Sequence, residues 1–219
     1  GYAALKINLA LGLQAGSLRP TSDCGEPGDI GSIKRAVLER SVSSLADTAH
    51  LLDDDALDRT IDLLVRARRV EVYGVGGSAA IAQTAHALWI QIGLPVVVVT
   101  DSHLQVMSAV QLQPGDVAVA FTTSGSTRDT VEVLRAAREA GAATVCLTSS
   151  GRSPITRVAD VTLLAASHPT TIGGHLIHSR VSDFAVIDVI ATAAALRRTG
   201  ESLAALARGR QAISENKRY

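Results

Sequence analysis

The 219 residues carry 21 Lys and Arg against 21 Asp and Glu, so the formal net charge is zero and there is no global attraction for nucleic acid or an anionic membrane. With 47% hydrophobic residues the chain can bury one sizeable core without disulfides or metals, and with 3% aromatics it has few platforms for stacking bases. The two cysteines, Cys24 and Cys146, are too few for a disulfide framework and imply a reduced, cytoplasmic setting.

Residues 1–16 place Leu5, Leu9 and Leu13 at a spacing of four, the pattern of one short amphipathic helix. No basic stretch followed by an apolar run and a small-residue cleavage site reads as a signal peptide there. Residues 17–31 collect Pro20, Pro27 and several glycines and small polar residues, a linker composition and the clearest domain boundary. Helical patterns follow over 33–52 and 55–67, the second opened by Asp53, Asp54 and Asp55, acids that suit the positive end of a helix.

From Arg69 onward short valine-rich runs alternate with helical stretches, which predicts a parallel sheet covered on both faces. Strands are expected at 70–73, 96–99, 117–121, 144–147 and 161–164, with helices near 79–92, 102–110, 128–140 and 176–198. Right-handed crossovers between these elements give a three-layer α/β/α sandwich with a five-stranded parallel sheet in the flavodoxin-like order 2-1-3-4-5. The domain is placed at 32–200, with 201–219 as a C-terminal tail. The most apolar stretch, 87–99, is broken by Gln91, Gly93 and Pro95 and is too short to span a bilayer, so no membrane partner is expected.

Open parallel sheets bind ligands beyond the carboxyl ends of their strands. Three of the expected strand ends share one chemistry. After the first strand come Gly74, Val75, Gly76, Gly77 and Ser78, with Ser78 read as the cap of the next helix. After the third come Thr122, Thr123, Ser124, Gly125, Ser126 and Thr127, five hydroxyls and a glycine ahead of a helix. After the fourth come Thr148, Ser149, Ser150 and Gly151, leading to a possible helix start at Ser153 and Pro154. Helix N-termini offer unpaired N–H groups and partial positive charge, and hydroxyls add donors without a full charge; together they make a phosphate cradle. Serine and threonine are also ordinary N-caps, so each loop alone is equally well structural; three on one sheet edge favour a ligand.

Rival motifs are weaker. Gly74, Gly76 and Ala79 satisfy a permissive dinucleotide fingerprint with Asp101 as its ribose acid, but that reading leaves the loop at 122–127 unexplained. No phosphate-binding G-x-x-x-x-G-K-[ST] element occurs, and Ser124 is not in a G-x-S-x-G elbow. His103, His175 and His178 are candidate sugar contacts; the last two stand three apart near an expected helix start, without the further ligands a metal site needs. No metal or cofactor is expected.

The three loops, with the continuation of the last through Arg152, Ser153, Pro154, Ile155, Thr156, Arg157, Val158, Ala159 and Asp160, resemble the sugar isomerase (SIS) domain superfamily over residues 33–198. That resemblance implies phosphate contacts from Ser78, Ser124 and Thr127, with Thr148 or Ser149 beside them, and places Gly76, Gly77, Thr122, Thr123, Gly125 and Ser126 in the binding loops. Thr122 departs from the serine usual at its position. The segment from Asp101 to Met107, the linker and the first ten residues are similar to RpiR/MurR-type bacterial transcription regulators, in which a helix-turn-helix domain precedes the SIS domain. By that resemblance residues 1–16 are the end of a DNA-binding domain otherwise missing, the chain forms a homodimer or homotetramer, and its ligand is a phosphorylated sugar.

Two functions follow: a sensor whose sugar phosphate controls DNA binding, or an aldose-ketose isomerase, which needs a base beside the substrate carbon. None of the seven glutamates falls in the strand-end loops, with Glu71 read as beginning a strand, which leaves His103, His175 and His178 as the candidate bases of an isomerase; the expectation is a sensor without catalytic residues.

Overall fold

A computed structural model describes residues 29–172 and 175–216, so the short helix expected over 1–16 and most of the linker lie outside the described residues. The chain divides into two compact units, one comprising residues 1–51 and 166–182, the other residues 52–165 and 183–219.

The larger unit runs α2 (Asp54–Arg66), β1 (Arg69–Tyr73), α3 (Gly77–Gln91), β2 (Val96–Val99), α4 (Ser102–Ala109), β3 (Asp116–Phe121), α5 (Arg128–Glu139), β4 (Ala143–Thr148), a 3₁₀ turn (Ile155–Arg157) and β5 (Val161–Leu164). It ends with α6 (Val181–Arg197), which starts in the other unit, and α7 (Thr199–Asn216). All five strands pair in parallel in the order β2-β1-β3-β4-β5, so all their carboxyl ends share one edge.

Alternation along β3 separates the two faces. Val117, Val119 and Phe121 join Val70 and Val72 of β1 and side chains of α2, α3 and α6, among them Leu64, Trp89 and Ile187. Ala118 and Ala120 face the opposite way, with Tyr73, Cys146 and side chains of α4 and α5 such as Ala109 and Leu134. Both faces are therefore covered, which is why the strands read as continuous apolar runs. The acidic start of α2 acts as expected: the Asp53 carboxylate accepts from the Ala56 amide at 2.8 Å.

Buried polarity concentrates under α4. Glu71 is in mid-strand and fully buried, where it pairs with Arg69 and accepts hydrogen bonds from the Tyr73 hydroxyl and, at 2.7 Å, from Ser108 of α4. Burial, then the Glu71 contact, pushes the Tyr73 phenol far above its ordinary range.

In the smaller unit, α1 (Ile30–Leu51) carries Ser44, Asp47 and Thr48 as a polar rail. Thr48 Oγ1 accepts from the Ala166 amide at 2.9 Å, Ser44 Oγ accepts from the His168 amide at 3.1 Å, and His168 Nε2 is hydrogen-bonded to Asp47 at 2.6 Å. An antiparallel hairpin follows, β6 (Thr170–Ile172) with β7 (His175–Ile177).

Four boundaries differ from the sequence reading. α1 begins at Ile30, inside the expected linker, because Asp29 accepts from the Gly31 amide at 3.1 Å and caps the first turn. The helix expected from 176 begins at Val181, since 175–177 is strand. The expected tail is helical as far as Asn216: Ala and Leu beyond Gly200 favour helix, and the Arg198 guanidinium reaches the Gly93 carbonyl at 3.5 Å. Ser153 and Pro154 open only a single 3₁₀ turn. Among the described residues no helix is long and apolar enough to cross a membrane.

Candidate functional site

The loops after β1, β3 and β4 leave three adjacent strands at the same edge, with Tyr73 in register with Ala120 and Phe121 with Leu147. The order reverses between β2-β1 and β3-β4-β5, so this is the switch point where such sheets open a crevice.

The first loop turns back through Gly76, at φ 58°, which is the N-cap of α3. Ser78 is thus one step inside the helix and not its cap; no side chain caps this helix, and the Ser78 amide reaches the Val75 carbonyl at 3.1 Å. Gly77 is exposed and Ser78 is 8% exposed.

The second loop is the most open in hydroxyl chemistry. Ser124 and Ser126 are exposed, Thr123 and Thr127 half-buried, Thr122 buried. Ser124 Oγ accepts from the Ser126 amide at 3.2 Å, and the Thr122 and Thr127 hydroxyls lie 3.5 Å apart. Thr127 is the N-cap of α5 but its side chain makes no capping bond, which leaves the hydroxyl and the helix's first amides facing the loop.

The third loop braces the second. Thr148 Oγ1 donates to the Thr123 carbonyl at 3.1 Å and accepts from the Ser150 amide at 3.2 Å, while the Ser149 amide donates to the same Thr123 carbonyl at 3.1 Å. Thr148 is fully buried, so its hydroxyl fixes the loops to each other. Ser149 stays half-exposed.

His103 is exposed on the first turn of α4, at the same sheet edge. His175 is on β7 and His178 follows it, three residues ahead of the helix that starts at Val181, both in the smaller unit. His178 lies 3.3 Å from Ser167, and burial, then the Arg180 charge, lowers its pKa. Asp101, the ribose acid of the dinucleotide reading, has its carboxylate engaged as the cap of α4, accepting from Leu104 at 2.9 Å. Among the described residues no group of three or more His, Cys, Asp or Glu side chains is placed to hold a metal ion.

A cavity of about 560 Å³ opens at the other, amino end of the sheet, lined by Arg59, Asp62, Arg66, Asp116 and Asp160 among others. Its carboxylates are already paired, Asp116 with Arg68 at 2.7 Å, Asp62 with Arg197 at 2.5 Å and Asp160 with Arg138 at 3.3 Å, so its size reflects a seam between charged pairs. The donor-rich edge is the better ligand site.

The sequence reading missed Gln105. This α4 side chain is fully buried, and its amide nitrogen donates to Val99 O at 2.7 Å and to Gly74 O at 3.2 Å, tying the ends of β2 and β1 together. Its position among exposed apolar neighbours Leu104, Val106 and Met107 gave no sign of burial.

The family model described as SIS domain matches residues 63–193, a stretch that contains all three loops. The chain belongs to the SIS domain family. Within it, the branch is that of the RpiR-type regulators. The SIS chain is 33% identical over 218 residues to the HTH-type transcriptional regulator HexR of Escherichia coli strain K12, covering 99% of this chain and 75% of that protein. The RpiR transcription factor of Sphaerobacter thermophilus (sugar isomerase domain) superposes with a TM-score of 0.76 at 28% identity, over 82% of this chain and 98% of that one. The Vibrio vulnificus NanR protein, solved in complex with ManNAc-6P, superposes with a TM-score of 0.77 at 25% identity, over 96% of this chain and 74% of that one.

Proposed function

We propose that this chain is the effector domain of an RpiR-type transcription regulator, and that a phosphorylated sugar bound at the carboxyl edge of its sheet controls a DNA-binding domain joined to its N-terminal end. The observation that carries this reading is the loop at 122–127, where exposed hydroxyls stand at an uncapped helix N-terminus. Ser124, Ser126, Thr127 and Ser78 supply donors to the phosphate, Gly76, Gly77 and Gly125 let the backbone approach it, and Ser149 borders it. Thr122, Thr123 and Thr148 set the loop shape. His103 faces the sugar end. The structurally similar NanR protein was solved with ManNAc-6P, a sugar phosphate, which supports the same ligand class here.

Residues 1–16 are the end of the helix-turn-helix domain in this reading, and the setting is cytoplasmic. Assembly as a dimer or tetramer is supported by α1, whose Val37, Leu38, Val42 and Leu45 are exposed. By contrast Leu64 of α2 is buried in the core.

The isomerase alternative has less support. Glu71 is a strand residue buried against Arg69 and Tyr73, and Glu132 is paired with Arg135 at 2.8 Å on the surface of α5. Neither is placed as a base for a sugar carbon, which supports binding over turnover and leaves His103, His175 and His178 as the bases an isomerase would use.

The test is a thermal-shift screen against pentose and hexose phosphates, ManNAc-6P among them, followed by a turnover assay of each hit. A native-state ligand raises the melting temperature. Stabilisation by one class of sugar phosphate without conversion is expected; aldose-ketose conversion would establish the enzyme instead.

A further inference from the structure

Gln105 is a carboxamide held at 0% exposure with only half of its hydrogen-bonding capacity used. Both acceptors near it are backbone carbonyls, Val99 O and Gly74 O, so the amide nitrogen must face them and the orientation of the group is fixed. With Nε2 committed to those two carbonyls, Oε1 is buried and among the described residues it has no partner. A buried acceptor without a donor costs free energy and calls for an explanation.

The carbonyl that Gln105 holds belongs to Gly74, the first residue of the candidate phosphate loop. That turn is closed tightly: a Cβ on Gly74 would sit 2.4 Å from the Ser78 carbonyl oxygen. The carboxamide thus lies directly against the loop that carries Ser78.

An acceptor cannot serve a phosphate dianion, whose oxygens are acceptors too. It suits a hydroxyl or an N–H. We propose that Gln105 is a specificity-determining residue of this site, its Oε1 accepting a hydrogen bond from a hydroxyl or amide N–H of the sugar while the hydroxyl loops hold the phosphate. Oε1 is shielded from solvent, so this contact requires the residues that cover it to move as the sugar binds. A sugar lacking that donor leaves the acceptor unsatisfied, and discrimination follows. This inference rests on the phosphosugar reading above.

The test compares wild type with Gln105→Met by calorimetric titration, using inorganic phosphate, the tightest-binding hexose phosphate of a panel that includes ManNAc-6P, and single-deoxy or de-acetamido analogues of that compound. In the wild type one analogue should bind about tenfold more weakly than its parent. In Gln105→Met, parent and analogue should bind alike, and the parent should lose more affinity than inorganic phosphate does. Persisting discrimination, or loss of inorganic phosphate in step with the sugar phosphate, would overturn the proposal and reduce Gln105 to a brace for the turn. Should the variant not fold, a crystal of the wild type with the same hexose phosphate decides: a ligand O or N within about 3.2 Å of Oε1 is expected, and a ligand that leaves Oε1 without contact contradicts it. If no sugar phosphate binds the wild type but inorganic phosphate does, the phosphosugar reading itself has failed, an outcome separable from a Gln105 that binds but does not discriminate.

Discussion

Gly125 and Ser153 are packed so closely that a Cβ on Gly125 would lie 2.0 Å from the Ser153 hydroxyl oxygen. Gly125 also sits at φ 64°, a conformation side chains rarely adopt, and its carbonyl accepts from the Ile155 amide at 3.0 Å. The loop after β3 and the loop after β4 are thereby one rigid body. Gly125→Ala combines backbone strain with overpacking and should destabilise by roughly 2–5 kcal/mol. Adding Ser153→Gly should recover the packing part but not the strain. Urea denaturation of the two variants measures both.

Ser124 and Thr148 carry the same group to different ends. Ser124→Ala removes an exposed hydroxyl and should leave the melting temperature near wild type while weakening sugar phosphate binding about five- to twentyfold. Thr148→Val removes a buried hydroxyl that serves both the Thr123 carbonyl and the Ser150 amide, so it should cost about 1–3 kcal/mol of stability. Thermal melts with and without hexose phosphate separate the two effects. Equal loss of stability in both variants would contradict this division.

The Glu71 carboxylate depends on Arg69 for its charge and on Ser108 and Tyr73 for hydrogen bonds. Removing the cation leaves a buried anion without compensation, and Arg69→Ala should destabilise by about 3–5 kcal/mol. Glu71→Gln, which removes the charge and keeps most of the shape, should cost less. The order of the two midpoints in chemical denaturation checks this.

Burial pushes the Cys146 thiol from its ordinary value near 9 up to about 11. The unfolded chain therefore loses that proton at lower pH than the folded one, and stability should fall as pH rises from about 9 to 11. In a Cys24→Ser background, Cys146 should resist thiol reagents in the native state and react once the chain is unfolded. Replacing Cys146 with Ala should remove its contribution to the alkaline loss.

The inner strands were legible because both sheet faces are covered, so β3 and β4 are buried apolar runs, whereas β2 is as apolar in sequence although Val97 is exposed. The strand-end loops were legible because the parallel topology alone brings them to one edge. What escaped was decided by tertiary contact. α4 buries Gln105 beside Ala109 and leaves Leu104 and Met107 exposed, which runs against the periodicity rule. The hairpin at 170–177 has strands of three residues, half-buried or exposed, and too short to show alternation. Ser78 was misassigned as a cap because a serine before a helix is the commoner cap, whereas here the turn at Gly76 starts the helix two residues earlier.

The central claim is that hydroxyl loops at the carboxyl edge hold a phosphate, and amide chemical shifts during titration of the isotope-labelled chain with a hexose phosphate test it most directly. Saturable shifts centred on Ser78, Ser124, Ser126 and Thr127 are expected. Shifts centred instead on Arg59 and Arg66, at the opposite edge of the sheet, with those four amides unmoved, would contradict it.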